Sequence, residues 1–439
     1  MPTRFRRTWR TMATAIGAMA MGCGMAMMVG MPGVAMAATE GTDALTPISL
    51  DAALTRAEDA NIDVIRARLA VKSAQANLRS ADTAPNPVLS VDAVQIRPSQ
   101  IGSLGYPKLV DTVARIDLPL ERGGKRTART REASALVDAA QDDMLSAHRD
   151  MREAVFDAYY DLKAAEERRD ILQAIARGYA DGMKMANLQR HAGALSDGDL
   201  AKQNVEASRA GADAMQAVTQ WHAAQLALAG LIGAEAQAGQ LATSGDWPVR
   251  DASKDSAPDL IALRRPDVLA AQARVEAARR ALDGAHALRH PDVTVGVQYE
   301  RADGDLGVGN SVGMGVSIPL PVRNRYNGEV DAAGVALVQA EAEARKAVAM
   351  ATADIVIARQ ALDEATQRRL QFDDEQLAAA QKANDIAEFA YKNGATSLIE
   401  LLDARRSLRA IELGAVDARS DQANALARLK AAETTGDDQ

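Results

Sequence analysis

A duplication at an offset of about 204 residues constrains this chain more than any other feature of its sequence. Ile62–Val91 aligns without a gap on Pro266–Val295. Asp63, Val64, Ala67, Val71, Ala74, Leu78, Ala81, Pro87 and Val91 recur as Asp267, Val268, Ala271, Val275, Ala278, Leu282, Ala285, Pro291 and Val295. From Val64 to Ala81 the matches step by three and four, the seam of a helix packed as a coiled coil. The last two fall where helix gives way to strand. A repeated unit that switches from helical to strand period is a duplicated half of a fold, not a short solenoid repeat.

The 439 residues would allow two or three ordinary domains, but the duplication points to one architecture made of two halves. Aromatic residues are only 3% and Ala is abundant, so the helices are expected to pack closely on small side chains. Arg4, Arg6, Arg7 and Arg10 precede an apolar stretch ending in Ala35-Met36-Ala37, which reads as an export signal over 1–37 with a small-x-small cleavage site. Without that segment the formal charge moves from -8 to -12, which argues against a nucleic-acid partner. Cleavage after Ala37 leaves no cysteine, because the single one is Cys23; lipidation at Cys23 is the alternative. Beyond Ala38 no apolar run approaches the ~20 residues of a membrane helix. An exported chain of this kind is either soluble in the periplasm or crosses a membrane as strands.

The first half, 38–232, reads as a helix over Ser49–Asp82, strands over Val88–Ile96 and Val110–Leu120, a helix over Lys125–Arg190 and a return helix over Asp199–Ile232. Residues 233–258 read as a linker or equatorial segment. The second half, 259–430, repeats the order: a helix over Asp259–Leu288, strands over Val293–Tyr299 and Ser311–Leu320, a helix over Gly328–Asn393 and a return over Ser397–Lys430. Residues 431–439 read as a disordered tail. The fold class is mainly α, with a β part of four strands. At about ten residues with alternating faces, each strand has the length of an outer-membrane strand. Four strands cannot close a barrel, and an open edge cannot sit in lipid. Either the barrel is shared between subunits, or the strands form a small water-soluble sheet at the end of a coiled coil.

Two tip-like segments stand at an offset of 201: Gly193-Ala194-Leu195-Ser196-Asp197-Gly198-Asp199-Leu200 and Gly394-Ala395-Thr396-Ser397-Leu398-Ile399-Glu400-Leu401. With Tyr391 before the second and Leu402-Asp403-Ala404 after it, the chain resembles the TolC family of outer-membrane efflux channels along nearly its whole exported length. Leu120-Glu-Arg-Gly-Gly-Lys-Arg126 and Pro319-Leu-Pro-Val-Arg-Asn-Arg325 are similar to the heavy-metal (cobalt-zinc-cadmium) branch, with Arg122 where that branch more often has Leu.

The resemblance implies a homotrimer with a twelve-stranded barrel in outer-membrane lipid and an α-helical tunnel in the periplasm. It implies docking to a periplasmic adaptor and an inner-membrane pump of the RND type through Gly193, Ala194, Leu195, Ser196, Gly394, Ala395, Thr396 and Ser397. Glu400 and Asp403 match an acidic constriction at the periplasmic entrance; Tyr391 and Asp199 match contacts that hold the entrance closed. Thr396 replaces a frequent basic tip residue. From spacing alone, Glu400 and Asp403 share a helical face and could equally be solvated, with Asp403 paired to Arg406. His286 and His290 could reach one metal ion but read as a helix-terminal pair. No nucleophile–base motif, phosphate loop or dinucleotide fingerprint occurs. The expected function is therefore a passive exit channel without cofactor or catalysis, carrying heavy-metal cations. Drug efflux, type I protein secretion and a pore-less periplasmic adaptor are the alternatives.

Overall fold

The computed structural model describes residues 47–94, 111–249, 256–304 and 307–436. The export segment with Cys23, the loop 97–109 and the end of the tail lie outside them. The first half comprises α1 (Leu50–Ala60), α2 (Ile62–Ala81), β1 (Val88–Val94), β2 (Asp111–Leu120), α3 (Lys125–His191) and α4 (Asp197–Ile232). A 3-10 turn at Glu235–Gln240 follows. The second half comprises α5 (Pro258–Ala262), α6 (Pro266–Ala287), β3 (Val293–Gly304), β4 (Gly307–Ser317), α7 (Asn327–Leu370), a π-helical turn (Gln371–Gln376), α8 (Leu377–Lys392) and α9 (Leu398–Glu433). Among the described residues no helix is long and apolar enough to cross a membrane.

The helix read over Ser49–Asp82 is two helices, and the one read over Asp259–Leu288 is also broken. Both breaks lie at the same place in the repeat. Asn61 ends α1 by donating its N–H to the Ala57 carbonyl, then caps α2 by accepting from the N–H groups of Asp63 and Val64. Arg265, at the equivalent position, is held extended (φ -67°, ψ 141°) because Pro266 follows it. Two different residue chemistries thus impose one break. Buried Arg265 is paired with Asp267 at 2.6 Å.

At 67 residues, α3 is about 100 Å long. Its counterpart in the second half is helical over the same distance but interrupted by the π turn, which the 3–4 periodicity did not reveal. Gly414 of α9 faces that turn: a Cβ there would lie 2.6 Å from the Phe372 ring. Asp373, in the same turn, binds Arg419 of α9 at 2.6 Å and Arg369 at 3.1 Å. The ends of the strand-to-helix junctions differ too. Gly124 starts α3 with φ 79°; Tyr326 starts α7 with φ 59°, a left-handed backbone that costs a non-glycine residue, and its N–H is held by Asn324 Oδ1 at 2.9 Å.

The helices meet largely on alanine. Ala128, Ala133, Ala135, Ala139, Ala164 and Ala165 are buried along α3, and Ala415, Ala418, Ala423, Ala425 and Ala427 along α9. The main core gathers Val64, Val155, Tyr159, Leu162, Leu228, Ile232 and Leu241. Residues 233–249 belong to it: Gln225 Nε2 donates to the Leu241 carbonyl at 2.7 Å, Ile48 bridges Thr243, and Trp247 stacks on Tyr160 and donates to Glu167. A second core surrounds Val268, Ile355, Leu362 and Leu426. The segment read as a disordered tail is ordered as far as Gly436, contrary to expectation. Glu433 completes α9 and pairs with Arg359 at 2.7 Å, and the Gly436 N–H donates to the Arg264 carbonyl.

Asp157 sits on α3 against α9, with one carboxylate oxygen buried and without a hydrogen-bond partner. Desolvation first, then the neighbouring Glu153, push its carboxyl up to about 6; Arg428 opposes this and Asp161 adds to it. The folded pKa exceeds the ordinary value of 3.8, so this stabilising contribution is complete below that pH and is lost as pH rises through about 6. Asp157→Asn should therefore raise the thermal midpoint of helical CD in detergent more at pH 8 than at pH 4.5. An equal shift at both would place the charge in water.

Candidate functional site

Each helical hairpin turns by the same local chemistry. At the first tip Gly193 adopts φ 73°; its N–H donates to the Arg190 carbonyl at 2.9 Å and the Ala194 N–H to the Gln189 carbonyl at 2.8 Å. At the second, Gly394 adopts φ 69°, and Gly394 and Ala395 donate to Tyr391 and Ala390 at 3.0 and 2.8 Å. This paired closure needs a left-handed residue, which glycine supplies at no steric cost. Leu195 and Thr396 are half-buried in the turns. Ser196 and Ser397 then cap the return helices, accepting from the N–H of Asp199 at 3.0 Å and of Glu400 at 3.3 Å.

The acids of the two tips differ in environment. Asp199 accepts from the Ser196 hydroxyl at 2.9 Å and from Lys202 Nζ at 3.1 Å, which hold its carboxyl below the usual aspartate range. Within the chain it is not joined to Tyr391, which is half-buried in the last turn of α8. Glu400 and Asp403 are exposed, one turn apart on α9, above buried Leu398, Leu401 and Leu402. The partner considered for Asp403 is taken: Arg406 binds Glu206 of α4 at 2.5 Å. Glu206 is only 8% exposed, and the Arg406 hydrogen bond keeps its carboxyl below the usual glutamate range despite burial. Arg409–Asp213 and Arg168–Asp417, both at 2.5 Å, continue this ladder between the hairpins. No local spacing in the sequence announces this ladder. The one available signal was register: Glu206 and Arg406 stand ten and nine residues beyond their caps, so they lie at nearly equal height.

The sheet is antiparallel in the order β1-β2-β3-β4, and the two halves join where Leu120 faces Val293 and Thr112 faces Arg301. One face is apolar and exposed: Leu89, Val91, Ile116, Leu118, Val295, Val297, Tyr299, Val312, Met314 and Val316. The other carries Ser90, Asp92, Arg115, Asp117, Gln298, Glu300 and Ser311. β1 and β4 are edges. Among the described residues no group of three or more His, Cys, Asp or Glu side chains is arranged to hold a metal ion.

Residues 53–234 and 257–433 match the outer membrane efflux protein family. The chain belongs to that family. An outer membrane efflux protein places its apolar sheet face in lipid and its helices in the periplasm, the assignment that the two sheet faces require. CzcC, the cobalt-zinc-cadmium resistance protein of Cupriavidus metallidurans, is 28% identical over 376 residues, 83% of this chain and 85% of its own. OpmQ, a pyoverdine export outer membrane protein of Pseudomonas putida, is 29% identical over 307 residues, 65% of this chain and 62% of its own. The solved outer membrane protein VceC of Vibrio cholerae has the same fold, with a TM-score of 0.72 at 18% identity over 88% of this chain and 96% of its own.

The Glu206–Arg406 bond ties the lower hairpins of this efflux protein together. Arg406→Ala removes the hydrogen bond that joins the two hairpins and leaves the buried Glu206 carboxylate only the longer contact with Arg209 of its own helix, at 3.7 Å, so amide exchange in 197–210 and 398–410 should accelerate while that around Leu162 is unchanged. Adding Glu206→Gln should recover part of the protection. Unchanged exchange in both tips would show that the hairpins are held by apolar packing alone.

Proposed function

We propose that this protein is the passive exit duct of a tripartite efflux system and that it exports heavy-metal cations. Three copies would close their sheets into a twelve-stranded barrel and ring their helices into a periplasmic tunnel. A periplasmic adaptor would grip the tips at Gly193–Ser196 and Gly394–Ser397, and an inner-membrane pump of the RND type would supply the energy. The duct itself would need no catalytic step. The observation that carries the channel reading is a membrane-length sheet with one exposed apolar face and two unpaired edges, joined to helices of about 100 Å. The metal reading rests on the similarity to CzcC over 83% of the chain. The similarity to OpmQ, a pyoverdine export protein, favours a second reading, export of organic compounds.

At the entrance, Glu400 and Asp403 would contribute six carboxylates around the trimer axis. Such a ring attracts cations and repels anions. In support, both side chains are exposed, and the hydrogen bond of Arg406, three residues from Asp403, goes to Glu206. Tyr391 and Asp199 would meet across neighbouring copies to hold the entrance closed.

Deletion from the native host should raise sensitivity to cobalt, zinc or cadmium salts, with the metals accumulating in the periplasm. Unchanged metal tolerance with new sensitivity to organic compounds would overturn the metal reading and leave the duct intact.

In planar bilayers, Glu400→Gln with Asp403→Asn should lower cation selectivity and block by multivalent cations without dissociating the trimer. The effect should persist at 0.15 M salt, where the screening length is about 8 Å, because only charges in a narrow lumen escape screening. Unchanged selectivity would make the two acids ordinary surface groups.

A further inference from the structure

We infer that Asp117 pins the Arg115 guanidinium flat against the lumenal wall of the barrel, and that this pinning sets the charge selectivity of the barrel lumen. The inference rests on the proposal that copies of this chain close into a pore.

Arg115 and Asp117 are two apart on β2 and share the polar face, opposite the exposed Ile116 and Leu118. In a lipid-embedded barrel that face is the lumen. A long basic side chain there would ordinarily extend into the water. Instead Arg115 Nε donates to Asp117 Oδ1 at 2.7 Å and Oδ2 at 2.9 Å, and both side chains are only about a third exposed or less (31% and 26%).

The neighbouring strands make room for this posture. Asp117 faces Gly296 of β3, and Gly296 faces Gly315 of β4. A Cβ on Gly296 would lie 2.7 Å from Arg115 Nη2 and 2.9 Å from Nε; one on Gly315 would lie 3.6 Å from Nη2. The guanidinium therefore runs sideways across two strands over a floor without side chains. Glycine weakens a strand interior and is expected where another group approaches closely. Here the Asp117 carboxylate comes nearest to Gly296 and the arginine lies just beyond it, so the glycine admits the pair.

The consequence is electrostatic and geometric. Each guanidinium is neutralised within its own strand and kept out of the pore. The next row of the same face pairs Asp92 with Val113 and Val113 with Glu300, so acids are what the lumen presents. Asp117 is thus a positioning residue, acting through Arg115. Removing its carboxylate would free one cation per copy to swing inward.

The test is reversal potential under a KCl gradient, with purified full-length trimers in planar bilayers. Asp117→Ala should lower the cation-over-anion permeability ratio by roughly twofold or more at low salt, with the difference fading at 1 M, where screening acts over about 3 Å. Arg115→Gln with Asp117→Ala should return the ratio to that of the native protein. Arg115→Gln alone, which leaves Asp117 unneutralised, should raise it and decides the matter if Asp117→Ala fails to assemble. A conducting Asp117→Ala trimer with an unchanged ratio, or an Arg115→Gln trimer with an unchanged ratio, overturns the inference. A native protein that forms no pore overturns the channel reading instead.

Discussion

A strand at the edge of a sheet carries a row of N–H and C=O groups, and in hydrocarbon each one left unpaired costs several kcal/mol. β1 and β4 are such edges, on a sheet whose exposed face is made of Val, Leu, Ile, Met and Tyr side chains. That face belongs in lipid, and the edges forbid it to be there alone. The conflict is removed if strands of other copies complete the ring. Closure therefore underlies the assembly, the pore and the meaning of the polar face. Each half contributes one hairpin, and among the described residues the halves pair strand to strand between β2 and β3.

Below the sheet a different constraint operates. Helices of about 100 Å gain little from propensity and depend on continuous side-by-side packing. Alanine supplies it, since small side chains let the backbones approach and leave no large gaps to fill. Where apolar contact thins toward the tips, charge takes over. No residue of α8 is buried. There the Arg406–Glu206, Arg409–Asp213 and Arg168–Asp417 pairs join the hairpins, and Asp373–Arg419 ties the π turn to α9 within the second. Half-buried ion pairs are stiff in register but weak in net energy. They hold the hairpins in register where apolar contact is thin.

The duplicated halves have drifted in instructive ways. Asn61 and Arg265 make the same helix break, one by a side-chain cap and one through the proline that follows. Gly124 and Tyr326 start the long helices from the same left-handed backbone, which glycine adopts freely and Tyr326 adopts with the help of Asn324. The π turn opposite Gly414 interrupts the long helix of the second half, whereas α3 runs unbroken. Geometry has been kept where chemistry was free to change.

Most of the architecture was legible from sequence because its signals are local and periodic. The 3–4 seam, the alternating strands, and Gly193-x-x-Ser196 with Gly394-x-x-Ser397 each act within a few residues, and each half repeats them. Glu400 and Asp403 could be placed on one helical face for the same reason. What the tertiary structure decided depends on partners far apart in the chain. Arg406 could have paired with Asp403, three residues away, but it binds Glu206, two hundred residues away, because two hairpins stand in register. Arg115 lies over Gly296 and Gly315 because strands from different halves are neighbours. Residues 431–436 are held in place because Glu433 and Gly436 reach Arg359 and Arg264. Periodicity reports which face a residue occupies; only packing determines what stands opposite it.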